Sequence, residues 1–297
     1  MENLETLRAH RQGIQRLVPI LEAVRSVAEI AWRRAERGAL PLRRYSTQVR
    51  DMFERVLLSL DEAQREAFLG GRSASSPIAL LLVTAERGLV GPFNKRLVAY
   101  GLEYARTLAG EGRTVRYLCL GTRGIRLLAG AGAPLLYSRS LPSLAIPAYV
   151  DVQEMALDLV GLVEQGAFGR LLVVHNAPVQ RFQYAPTTRL LLPPDVRSDT
   201  SSRPRVVVKP ATDTPTLLTH LLTEHLLVGL YQAVLESAIS EQLARIYTMR
   251  LAVDNAGKLV DRLTLAYNRA RRNTITNALL EVVSAYEMMA RGEQPRS

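Results

Sequence analysis

Residues 246–270 read IYTMRLAVDNAGKLVDRLTLAYNRA. Ile246, Val253, Val260 and Tyr267 recur every seven residues, and Met249, Ala256, Leu263 and Ala270 lie three after each. Steps of three and four place both rows on one face of an α-helix, as a coiled-coil seam requires. The pattern extends in both directions. From Pro215 to Ala290 no further proline occurs, and the only glycines are Gly229 and Gly257. Thr212, Asp213 and Thr214 can supply an N-cap, and Pro215 suits a first turn, where its missing N–H is no loss. At 1.5 Å per residue such a helix is roughly 110 Å long. A domain of this size does not bury that length, so the seam needs a second helix and an external surface.

The second helix is found at the other end of the chain. From Asn3 to about Leu60, Leu7, Ile14, Leu21, Ala28 and Ala35 repeat at heptad spacing. Leu17, Val24 and Ala31 form a second row three residues on, with His10 breaking its start. Pro19 lies inside this pattern and is expected to kink or loosen the helix, because it removes one backbone hydrogen bond. Gly38 and Pro41 mark a second weak point. Matching seams at opposite ends of one chain predict antiparallel pairing of Asn3–Leu60 with Pro215–Ala290.

Between these ends the texture changes. Gly70 to Pro77 (GGRSASSP) is a linker by composition. Ile78 to Thr84, Thr114 to Leu120 and Leu171 to His175 are short apolar runs, the mark of strands buried on both faces. Helix-like segments, Phe93 to Leu108, Gly124 to Ala129 and Val152 to Glu164, lie between them. Strand–helix–strand alternation predicts a parallel sheet with right-handed crossovers. Arg181 to Leu192 reads as a hairpin or edge extension. Pro193 to Pro215 is rich in Pro, Ser, Thr and Asp, with one strand expected at Val206–Val208. The fold class is therefore α/β plus a long helical coiled coil: antiparallel terminal helices around an inserted Rossmann-like parallel-sheet domain. The expected divisions are a shaft helix over 1–69, a linker over 70–77, the α/β domain over 78–210, and a second shaft helix with its tail over 211–297.

Composition narrows the function. The chain has 297 residues and a formal charge of +10, which calls for an acidic partner: nucleic acid, anionic lipid or an acidic protein surface. Cys119 is the only cysteine, so neither an internal disulfide nor a multi-cysteine zinc site is possible. Met1 to His10 has no apolar signal core and no transit pattern. The most apolar stretch, Leu217 to Leu235, is interrupted by His220, Glu224 and His225, whereas a membrane span needs about 20 nearly uninterrupted apolar residues.

Each candidate site has a plain structural alternative. Gly121-Thr122-Arg123-Gly124 follows a strand and opens a helix, where phosphates bind. The chain lacks G-x-G-x-x-G and G-x-x-x-x-G-K-[ST], so a helix-start turn is the stronger reading. His175 ends a strand, at the edge where α/β folds place ligands. His220 and Glu224 are one helical turn apart, but His225 points about 100° from Glu224 and no further ligand is at hand. There is no G-x-S-x-G and no His near the lone Cys. The residues thus argue against an enzyme acting alone, and they call for no cofactor. The basic runs Arg33-Arg34, Arg43-Arg44 and Arg269-Ala270-Arg271-Arg272 are either solvated helix faces or contacts. Only Trp32, Tyr45 and Tyr267 lie near them, too few aromatics for base stacking, so acidic protein loops fit better than nucleic acid.

Three segments carry a specific resemblance. The block Glu236-Ser237-Ala238-Ile239-Ser240-Glu241-Gln242-Leu243-Ala244-Arg245 is similar to the pattern E-S-x-x-S-E-x-x-A-R of F-type ATP synthase gamma subunits. It continues through Asp254-Asn255-Ala256, Leu263, Tyr267 to Arg271, Ile275-Thr276 and Glu281. Glu86-Arg87-Gly88-Leu89 with Gly91, Phe93 and Asn94 resembles the family's R-G-L-x-G-x-F-N turn. Ile20, Ala23, Val27-Ala28 and Arg33-Arg34-Ala35 fit its first helix. The resemblance spans nearly the whole chain and is weakest from Arg139 to Ala167.

It implies a central-stalk rotor inside a ring of alpha and beta subunits, also contacting the epsilon subunit and the membrane rotor ring of c subunits. It implies no catalytic role, no nucleic acid, and peripheral membrane association through the complex, at the cytoplasmic face of a bacterial cell membrane. Arg271 and Thr276 match family positions that contact the surrounding subunits. Arg272, where the family has Gln, and the basic pair Arg33 and Arg34 join them as expected partner contacts. Further departures are the run Arg16–Glu22 in place of a polar one, Val24 for Met, Ala278 for Glu, and Val90 and Pro92 in the turn. Two alternatives stand beside this reading: a gamma-like paralogue with an assembly or regulatory role in an accessory ATPase, and a Rossmann-like nucleotide-binding enzyme.

Overall fold

The computed structural model describes residues 4–60, 76–141, 148–180, 183–194 and 214–292. In chain order the elements are α1 (Leu4–Ser59), β1 (Ile78–Val83), α2 (Phe93–Gly110), β2 (Val115–Leu120), α3 (Thr122–Gly130), β3 (Leu135–Arg139), α4 (Tyr149–Glu164), β4 (Arg170–Gln180), β5 (Gln183–Leu192) and α5 (Thr214–Gly292). The chain divides into two compact units, Val27–Ile246 and the paired end segments Met1–Ser26 with Tyr247–Ser297.

The larger unit is built on one five-stranded sheet of order β3-β2-β1-β4-β5. β3, β2, β1 and β4 run parallel, and β5 returns antiparallel along β4 as the edge strand. All six residues of β1 are buried, as a central strand with helices on both faces requires. Side chains alternate between those faces. Ala79, Leu81 and Val83 point into one core, with Leu118, Leu120, Leu171 and Val173 of the neighbouring strands. Ile78, Leu80 and Leu82 point into the other, with Leu97 and Val98 of α2 and Leu128 of α3. Each such side chain, fully removed from water, contributes on the order of 2 kcal/mol.

The first core is closed by three helices. Phe53, Val56 and Leu57 of α1, Val152, Met155 and Leu159 of α4, and Leu226, Leu230, Ala233 and Val234 of α5 pack together there. On α5 those residues occupy one face by spacings of three and four. Leu235, Ile239 and Leu243 occupy another and meet Ala35 and Ala39 of α1. This part of α5 is therefore apolar on two sides, as a helix caught between a sheet and a second helix must be. The direction of the pairing follows from contacts along it. Phe53 stacks on His225 with ring centroids 5.8 Å apart, whereas Arg43 reaches Glu236 at 3.5 Å. Lower numbers on α1 meet higher numbers on α5, so the helices run antiparallel.

In the smaller unit Leu7, Met249, Ala256 and Leu263 are buried, and the Arg11 guanidinium sits 5.3 Å from the Tyr267 ring centroid. Along α5 the expected seam is borne out position by position: Met249, Ala256 and Leu263 are buried, and Ile246, Val253, Val260, Tyr267 and Ala270 are half-buried.

Along α1 one position departs from the expected seam. Leu7, Ile14, Leu21, Ala28 and Ala35 are buried or half-buried, and so are Val24 and Ala31 of the second row, but Leu17 is exposed. The packed face is wider than the two rows, since it also takes in positions four residues on, Arg11, Val18, Arg25, Trp32 and Ala39, all at least half-buried. Two of these are arginines, whose aliphatic stems cover apolar surface while the head stays polar. Pro19, Gly38 and Pro41 do not interrupt α1, and all three face outward. A proline on the exposed side forfeits one hydrogen bond without disturbing the packed side.

The hairpin expected at 181–192 is the β4–β5 pair. β3 was not anticipated: it is an edge strand with alternating burial, so it shows no continuous apolar run. Most of the Gly70–Pro77 segment and the strand expected at Val206–Val208 lie outside the described residues.

Candidate functional site

In sheets of this kind the ligand crevice opens where strand order reverses, at the carboxyl ends of the central strands. Here that point lies between β1 and β4, since β2 and β3 lie to one side of β1 and β4 and β5 to the other. Two of the segments that carry the resemblance, Glu86–Asn94 and Glu236–Arg245, meet there, together with His175. β1 is followed by Thr84-Ala85-Glu86, β4 carries His175 and Asn176, and α5 passes over both with Glu236 to Arg245.

The crevice is filled by protein groups. Ser237 Oγ donates to the Val83 carbonyl at 3.3 Å, pinning α5 to the end of β1. Ala244 packs with Ala85, Val90 and Phe93, and the Phe93 ring lies 5.4 Å from that of Tyr184. Asn94 Oδ1 accepts from the Ala85 N–H at 2.8 Å, which ties the first turn of α2 to the loop. Arg245 donates to Glu241 Oε1 at 2.6 Å, Gln242 Oε1 at 2.8 Å and the Gly88 carbonyl at 3.4 Å. Burial pushes the Glu241 carboxyl up, against the opposing pull of Arg245. The E-S-x-x-S-E-x-x-A-R block is thus a docking surface by which α5 closes the sheet.

At its centre is a buried ion-pair cluster. His175 is fully buried, and its Nε2 lies 3.0 Å from Glu236 Oε2. Arg189 of β5 reaches the same oxygen at 3.2 Å, and Gln232 Nε2 donates to Oε1 at 3.0 Å. Burial alone would raise the Glu236 pKa. The His175 hydrogen bond, Arg189 and Gln232 outweigh it and hold the carboxyl at about 2.

The glycine turn is also closed. Glu86 accepts from the backbone N–H of Thr122 at 3.0 Å, from its hydroxyl, and from the N–H of Leu141 at 3.0 Å. Thr84 Oγ1 accepts from the Gly124 N–H at 3.0 Å. A carboxylate therefore already occupies the start of α3, where a phosphate would sit. Burial opposes ionisation of Glu86, but the Thr122 and Leu141 bonds win and lower its pKa. The glycines serve close packing. A Cβ on Gly121, where φ is +97°, would lie 2.4 Å from the Thr84 carbonyl, and one on Gly124 would lie 2.7 Å from Cys119 Sγ. Burial drives the Cys119 thiol up to about 12, which leaves no nucleophile at neutral pH. Among the described residues no group of three or more His, Cys, Asp and Glu is placed to hold a metal ion. Glu224 instead accepts from the Tyr45 hydroxyl at 2.7 Å.

The expected contact residues lie elsewhere. Arg33 and Arg34 are exposed neighbours on α1, and Arg271, Arg272 and Thr276 are exposed on α5. From Arg271 to Met289 every side chain of α5 is exposed, including Ile275, Leu279, Leu280, Val282, Val283, Tyr286, Met288 and Met289.

With the crevice sealed, the chain alone is expected to bind ATP no more tightly than millimolar and to hydrolyse none. Calorimetry on the purified chain checks this, and a micromolar nucleotide site would refute the sealed-crevice reading.

In this chain α5 plugs the crevice of the sheet and then runs on with an exposed end rich in apolar side chains. The ATP synthase family model matches residues 3–289. The ATP synthase gamma chain of Gluconacetobacter diazotrophicus is 34% identical over 289 residues, 96% of this chain and 98% of that protein. That of Gluconobacter oxydans is 30% identical over 296 residues, 97% and 99%. The chain belongs to the ATP synthase gamma chain family. Its fold is similar to a chain of the Euglena gracilis mitochondrial ATP synthase at TM-score 0.71 and 14% identity, over 99% of this chain and 97% of that one. It is also similar to a chain from the central stalk and c-ring structure of the Tetrahymena thermophila enzyme, at TM-score 0.56 and 19% identity, over 78% and 99%.

Proposed function

We propose that this chain is the central-stalk rotor subunit of a rotary F-type ATP synthase, carrying torque between the ion-driven membrane ring and the alpha/beta catalytic ring. The observation that carries this reading is the fully exposed run Arg271–Met289, a helix end too apolar to be left in water. On this reading the subunit is not itself catalytic. Its partners are the alpha and beta subunits, the epsilon subunit and the ring of c subunits. It sits peripherally at the cytoplasmic face of a bacterial membrane. No described helix is long and apolar enough to cross one.

The working parts divide as 1–69 and 211–297 for the shaft, 70–77 for the linker and 78–210 for the α/β domain. Arg271, Arg272, Thr276, Arg33 and Arg34 are the proposed contacts with the surrounding ring. Rotation of an asymmetric shaft biases each catalytic site toward a different conformation in turn.

Co-purification with alpha and beta subunits tests the assignment, and a salt series tests its physical basis. A net +10 chain meeting acidic loops is screened over about 8–10 Å at physiological ionic strength. Assembly is expected to weaken severalfold between 50 and about 500 mM salt. Failure to co-purify would refute the assignment, and assembly indifferent to salt would show that the apolar end alone holds the complex.

A further inference from the structure

A cavity of about 310 Å³ lies in the larger unit between α1, β5 and α5, beside the sealed crevice, with whose ion-pair cluster it shares Arg189 and Gln232. Ser46, Arg50, Thr188, Arg189, His225 and Gln232 supply its polar wall. Among the described residues no acidic side chain lines it. We propose that this cavity is a binding site for a small tetrahedral oxyanion of the phosphate type.

One donor and one acceptor at the cavity are unused. Arg189 spends Nη2 on Glu236, and its Nη1 is buried without a hydrogen-bond partner among the described residues. His225 Nε2 is buried and unpartnered in the same way, while the ring bonds the Leu191 backbone through its other nitrogen. A buried polar group left unpaired costs about 1–3 kcal/mol, so two around one cavity, the Arg189 Nη1 donor and the His225 Nε2 lone pair, need a reason. Arg50 adds a guanidinium from the exposed side of α1.

The charge around the cavity is also unbalanced. The carboxylate adjoining it, Glu236, is shared among His175, Arg189, Gln232 and Arg43. Glu224, beside His225 on α5, is taken by Tyr45. Arg43 and Arg189 thus share one committed carboxylate, and Arg50 adds a further positive charge to the cavity wall. Guanidinium forks match the oxygens of phosphate or sulfate in geometry as well as charge. Burial, and Arg50 beside it, lower the His225 pKa to about 4. An anion at the cavity reverses the second of these effects and favours a proton on Nε2, which then donates to the anion.

The test is titration of the full-length purified chain with inorganic phosphate and with sulfate at about 150 mM salt, followed by calorimetry and by NMR of the His225 ring. Saturable binding is expected, with the His225 midpoint rising by about one unit. Arg50→Met and Ser46→Leu, both on the open side of the cavity, are expected to weaken binding about tenfold each without unfolding the chain. Binding that does not saturate, or that survives both variants, would overturn the proposal as adventitious surface charge. ATP displacing phosphate at equal concentration would overturn the assignment to a free oxyanion.

Discussion

Glu236→Leu is expected to destabilise the folded chain by about 3–5 kcal/mol, because it strips the one carboxylate from a buried cluster and leaves its partners behind. The side chain of Glu236 is only 6% exposed, and those of Arg189 and Arg43 are 30% and 53% exposed. Arg43 recovers water when Glu236 is lost, but fully buried His175 does not. A fall in melting temperature on the order of 10 °C follows for a chain of this size.

The pH dependence gives a second signature. The folded pKa of Glu236 is about 2 against an ordinary value of 4.5, so it is depressed. Its contribution is therefore complete above pH 4.5 and is lost as pH falls toward 2. At roughly 1.4 kcal/mol per unit this amounts to about 3 kcal/mol. Glu236→Gln removes the titration, so its stability curve is expected to be flatter than the parent's across that window. His225, depressed from 6.5 to about 4, adds a loss of the same sign at higher pH, between 6.5 and 4, in both proteins. Urea melts at pH 7, 5, 4 and 3 separate the two. A Glu236→Gln curve parallel to the parent's below pH 4.5 would show that the cluster does not depend on its charge.

This cluster also marks where sequence reasoning stopped. The helices and the β1, β2 and β4 strands were legible because each repeats a period: seven along α5, continuous apolar runs in the central strands. β3 was not, because an edge strand half in water carries only weak alternation. Along α1 the half-buried Arg11 and Arg25 were not legible as part of the packed face, because arginine counts as polar in any pattern although its stem packs. Glu236 and Arg245 were visible only as letters of a family motif. Nothing in their spacing says that one meets His175, 61 residues earlier, and the other the Gly88 carbonyl, 157 residues earlier. Such contacts depend on the sheet's strand order bringing distant segments to one edge. The same holds for the missing nucleotide site. The sequence showed no phosphate loop, but only the fold shows Glu86 and α5 occupying the place.

Arg271→Ala is expected to lower ATP-driven proton pumping by the assembled complex about tenfold while hydrolysis falls less, a loss of coupling equivalent to about 1.4 kcal/mol. Arg271 begins the run in which every described side chain of α5 is exposed, so its guanidinium is open to water or to another subunit. A solvated arginine in that position contributes little, and its removal would leave both rates unchanged. One held against an acidic loop makes a charge-assisted, bidentate bond that is broken and remade as the shaft turns. Arg272 provides the internal comparison. It is equally exposed, but it stands where the family resemblance places Gln, which both donates and accepts hydrogen bonds, whereas Arg only donates. Arg272→Gln is therefore expected to cost less than Arg271→Ala, or nothing where the partner loop is of the usual family type. Pumping and hydrolysis must be measured on the same reconstituted complex, since only their ratio separates weak coupling from poor assembly. If Arg271→Ala leaves both rates and their ratio intact, the upper end of α5 does not carry torque through this residue. The paralogue reading, bound to the same ring without driving it, then becomes the stronger account of a chain that keeps the family's docking cluster at Glu236–Arg245 but departs from it at the shaft tip.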